Sequence, residues 1–125
     1  MMLKDNLYNI VAKHSLDEHN VAYELRLNAD CEIYKAHFPG EPITPGVCLV
    51  QIVQELFADY VCKSANIKCV KNVKFVNVIS PIESSAIHVS IKCSESDNLG
   101  YNVQSVIKNS TDDVCAKISI ICQTH

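Results

Sequence analysis

Glycine and proline are scarce in this 125-residue chain, at three and four residues, yet most of them crowd into the stretch from His37 to Val47. Long apolar runs are missing: nothing approaches the roughly 20 residues of a membrane span. The opening residues, Met1 to Asp5, offer no apolar stretch suited to a secretory signal, so the expectation is a cytoplasmic protein. Basic runs and aromatic–basic motifs are absent and the net charge is −3, which argues against nucleic acid as the main partner. There is no repeat, low-complexity tract or linker, so residues 1–125 are expected to form one domain around one core. With 48% hydrophobic and 20% charged residues, neither disorder nor a fibrous class is indicated.

Cysteine is plentiful, but its pattern is uninformative for metals or disulfides. The seven residues form no C-x-x-C pair and no Cys/His spacing that suggests zinc, and an odd count cannot pair completely. Most read as small hydrophobes at apolar positions. Cys48 stands apart because it falls in the first turn of an expected helix, where a thiolate is favoured. Lys63, Lys68, Lys71 and Lys74 form the one basic cluster, suited to an acidic protein or to a solvated strand face.

The stretch His37-Phe38-Pro39-Gly40-Glu41-Pro42-Ile43-Thr44-Pro45-Gly46-Val47 is the most informative in the chain. Pro39, Pro42 and Pro45 fix φ near −65° and turn the residues before them away from helical geometry. Gly40 and Gly46 allow backbone shapes, and close ligand approach, that a Cβ forbids. Such a loop, ending on the free N–H groups and positive dipole end of a helix, can hold an imidazole beside a bound carbonyl or anion.

The helix is expected over Pro45 to Ser64, capped by Thr44 with Pro45 in the first position. Leu49, Val50, Ile52, Val53, Leu56, Phe57, Tyr60 and Val61 share one half of its wheel, while Gln51, Gln54, Glu55 and Asp59 form a polar stripe. Residues 2–15 suit either a short helix (Leu3, Leu7, Ile10, Val11) or a strand from Tyr8. Asp17 to Asn20 reads as a turn and Val21 to Leu27 as a half-buried strand. Further strands are expected at Cys69–Ile79, with a bulge near Val73–Val76, around Ile87–Cys93, and at Tyr101–Lys108 and Val114–Cys122. One long helix with a run of antiparallel strands is an α+β pattern, most simply a curved sheet wrapped around the greasy helix face.

The run HFPGEPITPGV resembles the signature of the (3R)-hydroxyacyl-[acyl carrier protein] dehydratases of the hotdog-fold superfamily, and the order of elements matches that fold over nearly the whole chain. The resemblance implies a homodimer or heterodimer in which two sheets join, with sites at the subunit interface. It implies an acyl thioester substrate on a phosphopantetheine arm, borne by acyl carrier protein or CoA, and no metal, nucleotide or redox cofactor. His37 matches the catalytic histidine. Gly46 matches the residue whose N–H polarises the thioester carbonyl, with Pro45, Val47 and Phe38 around the substrate.

That family places an acidic residue fourteen positions after the histidine and Gln four positions later. This chain has Gln51 and then Glu55. The two side chains lie ~6 Å apart along the axis and ~40° apart in azimuth. A carboxamide orients a hydroxyl or water but cannot supply a proton as a carboxylic acid does. Three readings follow: Glu55 serves as the acid with Gln51 as positioner; a related subunit supplies the acid in a heterodimer; or the chain is a thioesterase or a non-catalytic acyl-carrier binder. Tyr34 and Phe57 suit core packing or the channel wall. His14, His19, His88 and His125 are expected in structural or exposed roles.

Overall fold

The computed structural model describes residues 2–36, 40–96 and 100–125. Six strands form one antiparallel sheet: β1 Tyr8–Ser15, β2 Asn20–Leu27, β3 Ala65–Phe75, β4 Ala86–Glu95, β5 Gly100–Lys108 and β6 Val114–Thr124, in the order β1-β2-β4-β5-β6-β3. Two helices sit between β2 and β3: a short α1, Glu32–Ala36, and the long α2, Gly46–Val61. Period-two alternation in β2 and β4 turns Val21, Tyr23, Leu25 and Leu27, with Ile87, Val89, Ile91 and Cys93, onto one face of the sheet. Val103, Ile107, Ile118 and Ile120 continue that face. Across it lies α2, burying Leu49, Ile52, Val53, Leu56 and Phe57. Phe57 is fully buried and packs against Tyr101 with ring centroids 5.2 Å apart and ring planes tilted by 55°. A large buried side chain of this kind contributes about 2–3 kcal/mol. This is the expected sheet around a central helix.

Several boundaries differ from the sequence reading. Residues 8–15 are strand, and the apolar spacing of Leu3 and Leu7 serves a tight turn that buries both, closed by the Leu7 N–H on the Leu3 carbonyl at 2.7 Å. The short α1 was not expected. The third strand begins at Ala65 and stops at Phe75, because past that point the chain leaves the ladder: Val76 and Asn77 both donate to the Cys115 carbonyl, and Ile79 accepts from Thr44. The irregularities in β3 fall earlier than Val73, between Ile67 and Cys69 and between Val70 and Asn72.

The α2 helix is shorter than expected at both ends. Cys62 adopts a left-handed conformation (φ 55°), and the Lys63 and Cys62 N–H groups close back on Ala58 and Asp59. At the other end Pro45 is the N-cap residue and Thr44 is no cap. The Thr44 hydroxyl is buried and bonded to the Tyr34 hydroxyl at 2.9 Å instead. Among the described residues no helix is long and apolar enough to cross a membrane.

Candidate active site

The diverted Thr44 has a chemical consequence. Proline has no side-chain acceptor to turn onto the helix, so α2 begins without a side-chain cap. Its first bonded N–H groups are those of Cys48 and Leu49, both closing on the Pro45 carbonyl. Among the described residues nothing accepts from the N–H of Gly46 or Val47. Two oriented donors at the positive end of a sixteen-residue helix form a ready cradle for a carbonyl oxygen.

A groove of about 300 Å³ opens at this helix end, walled by Thr44, Pro45, Gly46 and Leu49 on one side and by Phe75 to Ile79 on the other. The Phe75 ring lies against Gly46 so closely that a Cβ there would sit 2.6 Å from its Cζ. Val47 projects outward, 76% exposed. Phe75 was not among the residues singled out from the sequence. No local signal marks it, since it meets Gly46 only because β3 ends beside the start of α2. His37 and Phe38, read from the sequence as catalytic base and substrate contact, lie outside the described residues.

Farther along α2, Gln51 and Glu55 are brought together: Gln51 Nε2 donates to Glu55 Oε2 at 2.8 Å. Glu55 lies on the polar stripe of α2, yet its side chain is buried, because the N-terminal segment folds over it. The Leu3 N–H donates to Oε2 at 2.8 Å, the Lys4 N–H to Oε1 at 2.9 Å, and the Tyr8 hydroxyl to Oε1 at 2.9 Å. Each oxygen therefore holds two donors, which fills the acceptor capacity of a carboxylate. Burial, and then the neighbouring Glu55 charge, push the Tyr8 hydroxyl well above the ordinary phenol range, so it remains a donor. Tyr8 and the two backbone donors were missed from the sequence; only the apolar spacing of Leu3 and Leu7 hinted that this segment packs down.

Beside this network a second groove, about 680 Å³, runs between the N-terminal segment and the start of β3, with Gln51, Gln54, Glu55 and Asp59 on its floor. Burial opposes ionisation of Asp59, but the Tyr23 hydroxyl and Lys13 outweigh it and hold its carboxyl below the usual range.

Cys48 departs from expectation. It is buried in the first turn, and burial, with a smaller effect from Cys31, pushes its thiol up rather than down. Desolvation outweighs the helix dipole, so Cys48 packs as a small hydrophobe. Tyr34 and Phe57 are core residues, and His14, His19, His88 and His125 are exposed. Among the described residues no three of His, Cys, Asp and Glu converge as metal ligands.

A six-stranded antiparallel sheet around one central helix, with an uncapped helix start facing a groove, is the hotdog fold. Residues 13–118 match the model of the ApeI-like family, described as ApeI dehydratase, and the chain belongs to that family. A curated 3-hydroxyacyl-[acyl-carrier-protein] dehydratase FabZ from Lactobacillus helveticus is 26% identical over 111 residues, covering 80% of this chain and 74% of that protein. Among solved structures, the dehydratase heterocomplex ApeI:P from Xenorhabdus doucetiae superposes with a TM-score of 0.73 at 17% identity, covering 92% of this chain and 97% of that one. A hypothetical thioesterase from Streptococcus pneumoniae, solved with coenzyme A, superposes at 0.66 with 8% identity, covering 94% and 87%. These structural likenesses concern the fold.

Proposed function

We propose that this chain is the histidine-bearing subunit of a dehydratase that interconverts β-hydroxyacyl and trans-2-enoyl thioesters carried on phosphopantetheine. The observation that carries this reading is the uncapped start of α2, where the N–H groups of Gly46 and Val47 have no acceptor among the described residues and Gly46 lines a groove, nine positions after His37. A thioester oxygen seated there accepts from Gly46 and gains enolate character, which acidifies the adjacent C–H. His37 removes that proton as general base. The acyl chain, borne by acyl carrier protein or CoA, enters past Pro45, Val47 and Phe38.

Loss of the β-hydroxyl as water needs a proton donor. Gln51 has none of the required acidity, and Glu55 already accepts from four donors. The expected roles of this pair therefore exchange: Glu55 is the positioner, and Gln51 is the group whose orientation it sets. The acid then comes from a related but different subunit whose helix carries a carboxylate where this chain has Gln51. The ApeI:P assembly, a dehydratase built as a heterocomplex, supports a two-subunit arrangement.

The test is hydration of crotonyl-CoA and of a carrier-bound enoyl substrate, by the chain alone and with its co-purified partner. Turnover is expected with the partner and is expected to fall by about 10²–10⁴ in His37→Ala. Full activity of Glu55→Gln in the assembly would exclude Glu55 as the acid. Release of free thiol without hydration would identify a thioesterase instead.

A further inference from the structure

Among the described residues β3 ends the strand order, so its outer edge pairs with no strand. Every charge on this strand is a lysine: Lys68, Lys71 and Lys74, all exposed. From Tyr60 to Ile82 the chain has four lysines and no acidic residue, in a protein whose net charge is −3. Lys68 and Lys71 fall at the two register shifts of β3, each unpaired with β6. Beside these cations lie exposed apolar side chains: Val70, Phe75, Val76 and Val78 are 51%, 53%, 49% and 71% exposed.

Hotdog subunits join sheet to sheet, and a free edge strand is where such joining can occur. We propose that the β3 lysines select the occupant of that edge: they favour an unlike hotdog subunit whose facing strand is acidic and exclude a second copy of this chain. The apolar residues give the surface a reason to be covered. The lysines decide by what. In an antiparallel self-pairing centred on Lys71, that lysine meets its twin and Lys68 meets Lys74. Slipping the register by a residue leaves them diagonal neighbours, still within reach of one another. A two-fold interface repeats the same patch on both sides, so it cannot offset a one-signed strand. A strand bearing Asp and Glu turns the same positions into attraction and steers encounter. This inference rests on the two-subunit dehydratase reading and names the surface that selects the partner.

The probe is a charge-reversed copy of the chain, Lys68→Glu/Lys71→Glu/Lys74→Glu, carrying Gln51→Glu as well. Circular dichroism confirms that it folds; if the triple change prevents folding, Lys71→Glu with Gln51→Glu serves in its place. Sedimentation at 50 mM salt is expected to show mixed dimers of wild-type and reversed chains at least about tenfold tighter than either alone, with the difference shrinking at 0.5 M salt. A tight wild-type homodimer overturns the proposal. So does failure of the two chains to associate, which would make the lysines a guard against strand addition. Binding of an acidic carrier protein to the same lysines, without mixed dimers, overturns it too. Crotonyl-CoA hydration in the mixed dimer is read separately: a dimer that forms but does not hydrate sinks the reaction and leaves the surface standing.

Discussion

The Tyr8 hydroxyl donates a 2.9 Å hydrogen bond to Glu55 Oε1 across 47 residues of sequence, in a buried position. With the Leu3 and Lys4 N–H groups it fastens the N-terminal segment to the middle of α2. It also leaves Glu55 holding the Gln51 amide rather than waiting for a substrate.

Breaking this clasp should cost stability. In Glu55→Gln an NH₂ group faces two donors, so about 2–3 kcal/mol is lost, whereas Tyr8→Phe removes one donor to a charged acceptor and costs about 1.5–2 kcal/mol. Urea unfolding measures both. Equal stability of wild type and Glu55→Gln would show that the clasp contributes nothing.

Alkaline pH should weaken the fold. Burial pushes up Tyr8, with Glu55 adding to it, and Tyr23, with the Asp59 hydrogen bond adding to it; burial also pushes Tyr34 to about 12. Each phenol ionises in the unfolded chain near pH 10 but later in the folded one, so its contribution is complete below that pH and declines above it. The decline is about 1.4 kcal/mol per pH unit per tyrosine. Urea midpoints between pH 8 and 12 should therefore drop, with the buried Cys48, Cys93, Cys115 and Cys122 thiols, pushed up by the same burial, adding to the decline, and with a shallower slope in Tyr8→Phe.

Restoring an acid at position 51 should create a proton-sharing pair. Gln51→Glu sets two carboxyls at the 2.8 Å spacing now held by the amide, where both cannot ionise together. Repulsion between the two charges favours keeping one proton on the pair, as a general acid must. In the mixed dimer with the charge-reversed chain, hydration of crotonyl-CoA is expected to rise at least about tenfold over the same dimer with Gln51 kept, and to fall off on the alkaline side. A pH-independent rate at wild-type level would refute this.

Gly46 and Phe75 should behave as a coupled pair. Gly46→Ala places a methyl 2.6 Å from the Phe75 ring, which is half exposed and can swing aside. The expected loss is about 1 kcal/mol, largely recovered in Gly46→Ala/Phe75→Ala. Simple additivity in thermal melts would mean that the ring does not lie on the helix start.

Ser105 is the buried exception in the sheet. The residue is 3% exposed and its buried hydroxyl has no hydrogen-bond partner among the described residues, on an inward face shared with Val103 and Ile107. Ser105→Ala should stabilise the protein by about 1 kcal/mol, read as a rise in melting temperature.

Chain-local chemistry was readable. Prolines and glycines act on their own dihedrals, so the constrained loop ending at Gly46 stood out, and the apolar rows of α2, β2 and β4 followed from their periods. Ends were harder. Thr44 was a sound cap by type, but Tyr34, ten residues earlier, takes its hydroxyl. The third strand stops at Phe75 because Val76 and Asn77 both donate to the one carbonyl of Cys115, which ends the residue-by-residue pairing with β6.

Sequence alone determined the α+β class, the greasy face of the central helix and the rigid approach to its amino end, since each depends on neighbours a few residues apart. Tertiary structure decided what Glu55 does. A carboxylate on a polar stripe looks available until Leu3, Lys4 and Tyr8 arrive from the far end of the chain. Hydrogen bonding saturates by contact in space, and no period in the sequence records which distant donors a fold will deliver.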